Sequence, residues 1–341
     1  MKELVITKHG GPEVLQVRER PTPEPGPGEV RLKVSRAGLT FADVSARVGM
    51  YPDAPPPPCV VGYEVCGTVE ALGPDVKAPA IGERVLAPTR FGGHASHVIV
   101  PARFALPVVP QLTDEEAAGL PVNYLTAFHM LFHVHHLKPG AHVFFHRAAG
   151  GVGLALLQLA RTVPGVVLYG TASARKHEAL RKLGFDHPID YNAHDYADEV
   201  KRLTNGRGVD LVLDSEGGPD WTKGYGLLRP AGHLIAFGWG NMVPGEKRNI
   251  LRVASQFVRQ PRFGPYRLMG ENKTVSGVNL GHLWSEEDLL RGHLEKLLGL
   301  ARAGTVRPPI DSVFPLSKGA DAHRQMQSRK NVGKVVLDCT A

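Results

Sequence analysis

The sequence predicts an α/β protein of two parts, a doubly wound parallel sheet and a second, mostly β domain. Three observations carry this. Within Ala141–Ala160, Val143–Phe145 reads as a buried strand, Ala148–Gly153 as a glycine-rich turn, and the residues from Val152 as a helix with an apolar face. Strand and helix signals then alternate to about residue 237. Before residue 122 the rhythm differs: short alternating runs lie among prolines and glycines.

In order, Glu29–Ser35 alternates apolar and polar as a half-exposed strand should, after a proline loop at Pro21–Gly28. Pro55–Pro58 is a second stiff segment, and Val60–Glu70 and Ile81–Ala87 continue the short-strand pattern. Asn123–Leu137 has helical spacing. Strands follow at Val166–Gly170, Pro188–Tyr191, Val209–Asp214 and His233–Phe237, with helices from Ala174 and near Glu199 and Trp221. Such alternation requires crossover connections, hence a parallel sheet with helices on both faces. Helices at Glu286–Ala303 and Ser317–Ser328 and a strand at Lys334–Asp338 return to the first domain. The expected division is 1–121 with 282–341, and 122–281.

The chain has 341 residues, 43% apolar and 21% charged, as a globular protein with two sizeable cores should. Its N-terminus lacks the apolar core of a signal peptide, and no run reaches the roughly 18 apolar residues of a membrane span. Cys59, Cys66 and Cys339 make no CxxC pair and no disulfide framework, so a cytoplasmic location is expected. The net charge of +7 and pI near 9.3 suit an anionic partner. Nucleic acid is not expected, because no basic reading helix, zinc-finger spacing or RNA-binding aromatic signature is present. An anionic small molecule is the expected ligand; a basic surface that serves solubility alone is the alternative.

The glycine turn has dinucleotide chemistry. Gly150 admits a pyrophosphate to the backbone, Gly153 lets helix and strand pack closely, and Ala149, Gly151 and Val152 complete a turn at a helix N-terminus. Ala148 stands in the place of the fingerprint's first glycine. Nicotinamide specificity is read at the end of the second strand, where an acid would bond the ribose hydroxyls of NADH. Here Val166–Gly170 leads into Thr171–Lys176, with no acid and two cations. Ser173 and Lys176, with Arg175, suit a 2′-phosphate, so NADPH is expected and NADH is the alternative.

Ala37-Gly-Leu-Thr-Phe-Ala-Asp43, Gly62-Tyr-Glu64, Ile81-Gly-Glu-Arg-Val85, Ala148-Ala-Gly-Gly-Val-Gly153 and Gly333-Lys334 together resemble the medium-chain dehydrogenase/reductase superfamily. The likeness covers essentially the whole chain. Thr162–Ala179 and Gly240–Val243 resemble its zinc-free quinone-oxidoreductase-like proteins, particularly the vesicle amine transport protein branch. The resemblance implies a Rossmann-type domain and a GroES-like catalytic domain. Zinc-dependent relatives place a Cys and a His where this chain has Thr40 and Tyr63, and no Cys lies between 67 and 338 to build a structural zinc lobe. His129, His133 and His136 have ligand-like helical spacing, but the family gives that helix no ligand role. No metal is expected.

The resemblance further places Tyr191 and Asn331 on the phosphate or ribose side of NADPH. It sets Asn123 and Thr126 beside the nicotinamide carboxamide, and Phe237 with Gly238–Asn241 over the ring. Without a Lewis acid, hydride can still reach a carbon conjugated with a carbonyl, because charge spreads into an enolate; the protein must then supply oxygen donors and an acid. Tyr51 resembles the tyrosine of zinc-free enoyl-thioester reductases, with loop packing as its alternative task. Tyr63 is the second candidate, Thr40 lies on the same motif, and Asp43 either holds that loop or takes part in chemistry. Ser45 departs from the tyrosine of many quinone reductases.

Lys247–Lys273 holds seven basic residues (Lys247, Arg248, Arg252, Arg259, Arg262, Arg267 and Lys273) against the single acid Glu271. They suit the phosphates of a CoA thioester, or else form a solvated or dimer-facing helix. The expected function is reduction of an activated C=C bond, first of a short or branched 2-enoyl-CoA. A quinone or enone oxidoreductase and a non-catalytic dinucleotide-binding protein are the alternatives. A homodimer is implied by the family, with Val275–Leu280 as a pairing edge. Arg147, just before the fingerprint, reaches cofactor phosphates, substrate or solvent.

Overall fold

The computed structural model describes residues 1–242, 245 and 249–341. In chain order the strands are β1 (Lys2–Ile6), β2 (Leu15–Glu19), β3 (Glu29–Leu39), β4 (Cys59–Val60), β5 (Glu64–Leu72), β6 (Arg84–Pro88), β7 (His97–Pro101), β8 (Leu106–Pro107), β9 (His142–Phe145), β10 (Val167–Thr171), β11 (His187–Ile189), β12 (Val209–Asp214), β13 (Leu228–Ala236), β14 (Thr274–Gly277), β15 (Ile310–Pro315) and β16 (Lys334–Asp338). The helices are α1 (Phe41–Val48), α2 (Asp114–Gly119), α3 (Pro121–Phe128), α4 (Gly151–Ala160), α5 (His177–Lys182), α6 (Tyr196–Leu203), α7 (Pro219–Leu227), α8 (Ile250–Val258), α9 (Pro265–Glu271), α10 (Glu287–Arg302) and α11 (Gly319–Gln327).

Two compact units result: a β-rich one from Met1–Leu125 and Leu283–Ala341, and a parallel-sheet one from 126–242 and Asn249–His282. The β-rich unit has a sheet ordered β15-β16-β3-β5-β6-β8, with β7 also on β3, and a small sheet β2-β1-β4. Its core draws on alternate residues of these strands, such as Val30, Leu32 and Val34 of β3, all essentially solvent-free. The last strand, β16, pairs antiparallel with β3 (Leu337 opposite Ala37), which is how the chain's end rejoins its beginning.

The other unit is one sheet ordered β11-β10-β9-β12-β13-β14, every pair parallel. All of β12 is buried, as a central parallel strand covered on both faces requires. Phe144, Tyr196, Trp221, Tyr225 and Leu234 fill the core on one side of it. Strand order reverses direction at β9, so the carboxyl ends of β9 and β12 form the switch point at which such sheets bind ligands.

Two segments differ from the periodicity. Val60–Glu70 is not one run, because Gly62 takes φ 106° and breaks it between β4 and β5. Asn123–Leu137 is not one α-helix: α3 passes into a π-helical stretch at His129–Val134. A register insertion of this kind lets the rings of His129 and His133 stack 4.8 Å apart instead of pointing along a common ligand-bearing stripe.

Candidate functional site: a tyrosine pair and a glycine turn

In the β-rich unit one carboxylate organises the candidate catalytic residues. Asp43, fully buried in the first turn of α1, accepts the Thr40 N–H (2.7 Å) and the Thr40 hydroxyl (2.8 Å) on one oxygen. Its other oxygen accepts the Gly62 N–H at 2.9 Å. Thr40 thus caps α1, and Asp43 ties that helix start to the turn before β5. Gly62 is required there: besides its φ, a Cβ would lie 2.6 Å from His94 Cδ2.

The turn delivers Tyr63, and Gly49, left-handed at the end of α1 (φ 79°), leads the chain to Tyr51. The two tyrosine rings meet edge to face at 5.9 Å, and Phe91 packs on Tyr63 at 5.5 Å. Burial, then the nearby carboxylates Asp53 and Asp43, push the Tyr51 phenol up to about 12. Burial, followed by Asp43, raises Tyr63 further. Both are therefore firmly protonated donors at neutral pH. The Tyr63 hydroxyl is buried with no hydrogen-bond partner among the described residues.

Adjacent Glu64, wholly buried, pairs with Lys334 of β16 and accepts the Val122 N–H at 2.6 Å. That contact fixes the start of α3 and with it Asn123, which is buried. Ser45 donates to Phe41 O at 2.9 Å, a bond inside α1. Among the described residues no group of three or more His, Cys, Asp or Glu is arranged to hold a metal.

In the parallel-sheet unit, β9 ends at Phe145, and two residues on the Arg147 carbonyl accepts the Gly150 N–H (2.8 Å) and so closes the turn. Gly150 is the N-cap of α4 and offers no side-chain cap. The first N–H groups of α4 (Gly151, Val152, Gly153) are consequently left for a ligand. A Cβ on Gly153 would lie 2.5 Å from Arg147 O and 2.7 Å from Ala148 C, so helix and strand approach as closely as backbone allows. Ala148 and Ala149 are buried beneath.

After β10 the Ser173 hydroxyl is buried without a hydrogen-bond partner among the described residues, and so is the Ser215 hydroxyl after β12. Lys176 is half-buried and Arg175 exposed on the turn that begins at Ser173. Tyr191 follows β11 and is largely open to solvent. Phe237 donates its N–H to Asp214 O (2.9 Å), and Gly238 packs on the Ser215 backbone, where a Cβ would meet Ser215 O at 2.9 Å. Asn241 uses its amide on the Asp220 carboxylate (2.7 Å) and Gly217 O (3.3 Å), which holds the loop after β13. The uncapped helix start, the crowded Gly153 and the orphaned hydroxyls fit a dinucleotide carrying an extra phosphate.

Two further expected cofactor residues lie on other elements. Thr126 sits on α3, and Asn331 belongs to the β-rich unit, where its amide donates to Gly333 O at 2.8 Å. Of the basic segment, Lys247 and Arg248 lie outside the described residues, as does Val243. Arg252 donates to Asn241 O (2.8 Å), while Arg267 and Lys273 pair with Glu271 at 2.9 and 3.2 Å. Three of these cations thus stabilise local structure. Sequence reasoning missed Asp214 and Glu216; the only signal was an acid pair before two glycines at the end of a buried strand.

The comparisons agree with this layout. The family described as alcohol dehydrogenase GroES-like domain matches residues 26–111, and zinc-binding dehydrogenase matches residues 183–337. The Homo sapiens synaptic vesicle membrane protein VAT-1 homolog is 44% identical over 336 residues, 98% of this chain and 85% of that one. The chain belongs to the medium-chain dehydrogenase/reductase superfamily. It is an oxidoreductase of that superfamily with VAT-1-like relatives. The 2-haloacrylate reductase of Burkholderia sp is 33% identical, over 98% of this chain and 97% of that protein. Among solved structures, Escherichia coli quinone oxidoreductase complexed with NADPH aligns with a TM-score of 0.86 and 27% identity, covering 99% of this chain and all of that one. No helix among the described residues is long and apolar enough to cross a membrane.

Proposed function

We propose that the protein is a zinc-independent, NADPH-dependent reductase of a C=C bond conjugated to a carbonyl, with a short or branched 2-enoyl-CoA thioester as its first substrate. The observation that carries this is the Tyr63 hydroxyl, a buried and protonated donor with no partner among the described residues. A buried hydroxyl left unpaired costs about 1–3 kcal/mol, a cost that a ligand oxygen would recover. NADPH, when bound, supplies hydride.

The remaining roles fall to the chain. Tyr63 donates to the carbonyl oxygen as enolate charge develops after hydride reaches the β-carbon. Tyr51 gives its proton to the α-carbon, and solvent restores it. Asp43 keeps the two phenols in register through Thr40 and Gly62. Ser173 and Lys176 take the 2′-phosphate, and Asn123 and Thr126 face the carboxamide. The 2-haloacrylate reductase supports the reading, since its named substrate is an alkene conjugated to a carboxylate. The NADPH complex of the quinone oxidoreductase supports the coenzyme.

A second reading, quinone or enone reduction, draws on that same structural likeness, and a quinone oxygen would equally take the Tyr63 hydrogen bond. We further propose a homodimer through β14, which ends the six-stranded sheet, and a cytoplasmic location consistent with three free, buried cysteines. The test is NADPH and NADH oxidation against panels of enoyl-CoAs and quinones, with Tyr51→Phe alongside. NADPH-dependent enoyl-CoA turnover is expected. Turnover of quinones alone would replace the first reading by the second, and coenzyme binding without turnover would leave only a dinucleotide-binding role.

A further inference from the structure

Arg147 is the last residue before the glycine turn and has φ 56°, a left-handed conformation that costs a non-glycine residue about 1 kcal/mol. Such a conformation persists only where neighbours over-determine it. Its N–H donates to Thr171 Oγ1 (3.1 Å) at the end of β10. Its guanidinium forms a two-pronged ion pair with Glu216 after β12, through Nε and, at 3.0 Å, through Nη2. Both side chains are mostly enclosed, at 28% and 14% exposure.

Glu216 is in turn fixed. Asp214 Oδ1 accepts the N–H groups of Glu216 (2.8 Å) and Gly217 (2.9 Å). The other Asp214 oxygen lies 3.4 Å from His146 Nε2, and His146 Nδ1 lies 3.4 Å from Thr171 Oγ1. Polar contacts thus run between the carboxyl ends of β9, β10 and β12, the His146–Asp214 approach among them being a close one without a hydrogen bond. The loop after β13 rests on these contacts: a Cβ on Gly240 would come within 2.8 Å of Arg147 Cζ and 3.0 Å of Glu216 Oε2.

We propose that the Arg147–Glu216 ion pair is the positioning element of the coenzyme site, holding the glycine turn in its pyrophosphate-receiving shape and setting the charge that the coenzyme meets there. This rests on the NADPH reading above. A bidentate guanidinium–carboxylate pair fixes orientation as well as distance, which a single hydrogen bond does not. Because the pair is neutral as a whole, its two halves act on an anionic ligand with opposite sign. Removing Arg147 leaves a fixed carboxylate facing the phosphates, whereas removing the charge of Glu216 leaves a fixed cation there. A purely structural strut has no such asymmetry.

The experiment is NADPH titration of Arg147→Met, Glu216→Gln and the double variant, each checked for folding by thermal melting. Arg147→Met should weaken NADPH at least about tenfold, as an unscreened charge nearby would do at an intermediate dielectric. Glu216→Gln should tighten NADPH and steepen its salt dependence, and the double variant should fall between the two. Equal weakening by both single variants, or no change in either, overturns the proposal. If Arg147→Met does not fold, Glu216→Gln decides alone, and weakened or unchanged binding overturns it. Failure of the unaltered protein to bind NADPH would instead refute the coenzyme reading itself, and the positioning role with it.

Discussion

The two candidate sites, one in each unit, are built by opposite means. The glycine turn presents backbone: N–H groups at the start of α4, carbonyls packed against Gly153, and side chains that mainly hold loops in place. The tyrosine pair presents side chains from three separated stretches: Asp43 joins Thr40–Asp43 to Gly62–Tyr63, and Tyr51 joins them through its ring contact with Tyr63. A backbone site tolerates most side-chain changes but no new Cβ where the chain closes on itself. A side-chain site keeps its fold when altered and loses its chemistry. Substitutions in the two should therefore separate binding from turnover.

The largest effect is expected at Gly153. Gly153→Val would drive a side chain into the Arg147 and Ala148 backbone, which cannot yield as a side chain does. NADPH affinity should drop beyond detection in a fluorescence titration, and stability by about 3 kcal/mol in chemical denaturation.

Next come the tyrosines. Tyr51→Phe and Tyr63→Phe should each lower kcat about a hundredfold, the scale of a lost acid or oxyanion donor, while NADPH affinity stays near that of the unaltered protein. Tyr63→Phe carries a second expectation. Because it deletes a buried hydroxyl that has no partner among the described residues, the melting temperature should hold or rise even as turnover falls. A concerted loss of both would show that the hydroxyl has a structural task instead.

A smaller effect separates the units by pH. His135 and His233 lie 3.3 Å apart through their Nδ1 atoms in the parallel-sheet unit. Burial, then the neighbouring His233, lowers His135 to about 4. Its unfolded value is about 6.5, so the unfolded chain binds the extra proton first as pH falls. The stability this neutral histidine contributes is complete above about pH 6.5 and is lost as pH falls toward about 4, by roughly 2 kcal/mol after allowing for its partial solvent contact. Urea midpoints at several pH values should show the loss, and His135→Phe should flatten it.

The smallest is Ser173→Ala, which should cut the preference for NADPH over NADH by about fivefold if that hydroxyl meets the 2′-phosphate. Equal effects on both coenzymes would remove Ser173 from phosphate recognition.

What was legible in the sequence follows the same division. The turn between β9 and α4 is local, and its glycine spacing states a steric requirement met within a dozen residues. The alternation of β9 to β13 with helices likewise needs only neighbouring positions. Tyr63 was reachable only through resemblance, because the break at Gly62 depends on His94 and Asp43, far away in sequence and invisible to an apolar–polar alternation that runs straight through 61–63. The histidines of 129–136 misled for a related reason, since helical spacing assumes a regular helix and the π-turn changes which rings meet. Arg147 could not be assigned at all until Glu216, on a different strand end, was seen beside it.

The proposed reaction delivers hydride from NADPH to a carbon conjugated with a carbonyl and adds a proton beside it. The most direct measurement uses NADPH deuterated at the transferring position, a 2-enoyl-CoA, and mass spectrometry of the product. The proposed reduction puts deuterium on the β-carbon and, in heavy water with ordinary NADPH, deuterium on the α-carbon. Consumption of NADPH with no label in a saturated thioester would contradict it.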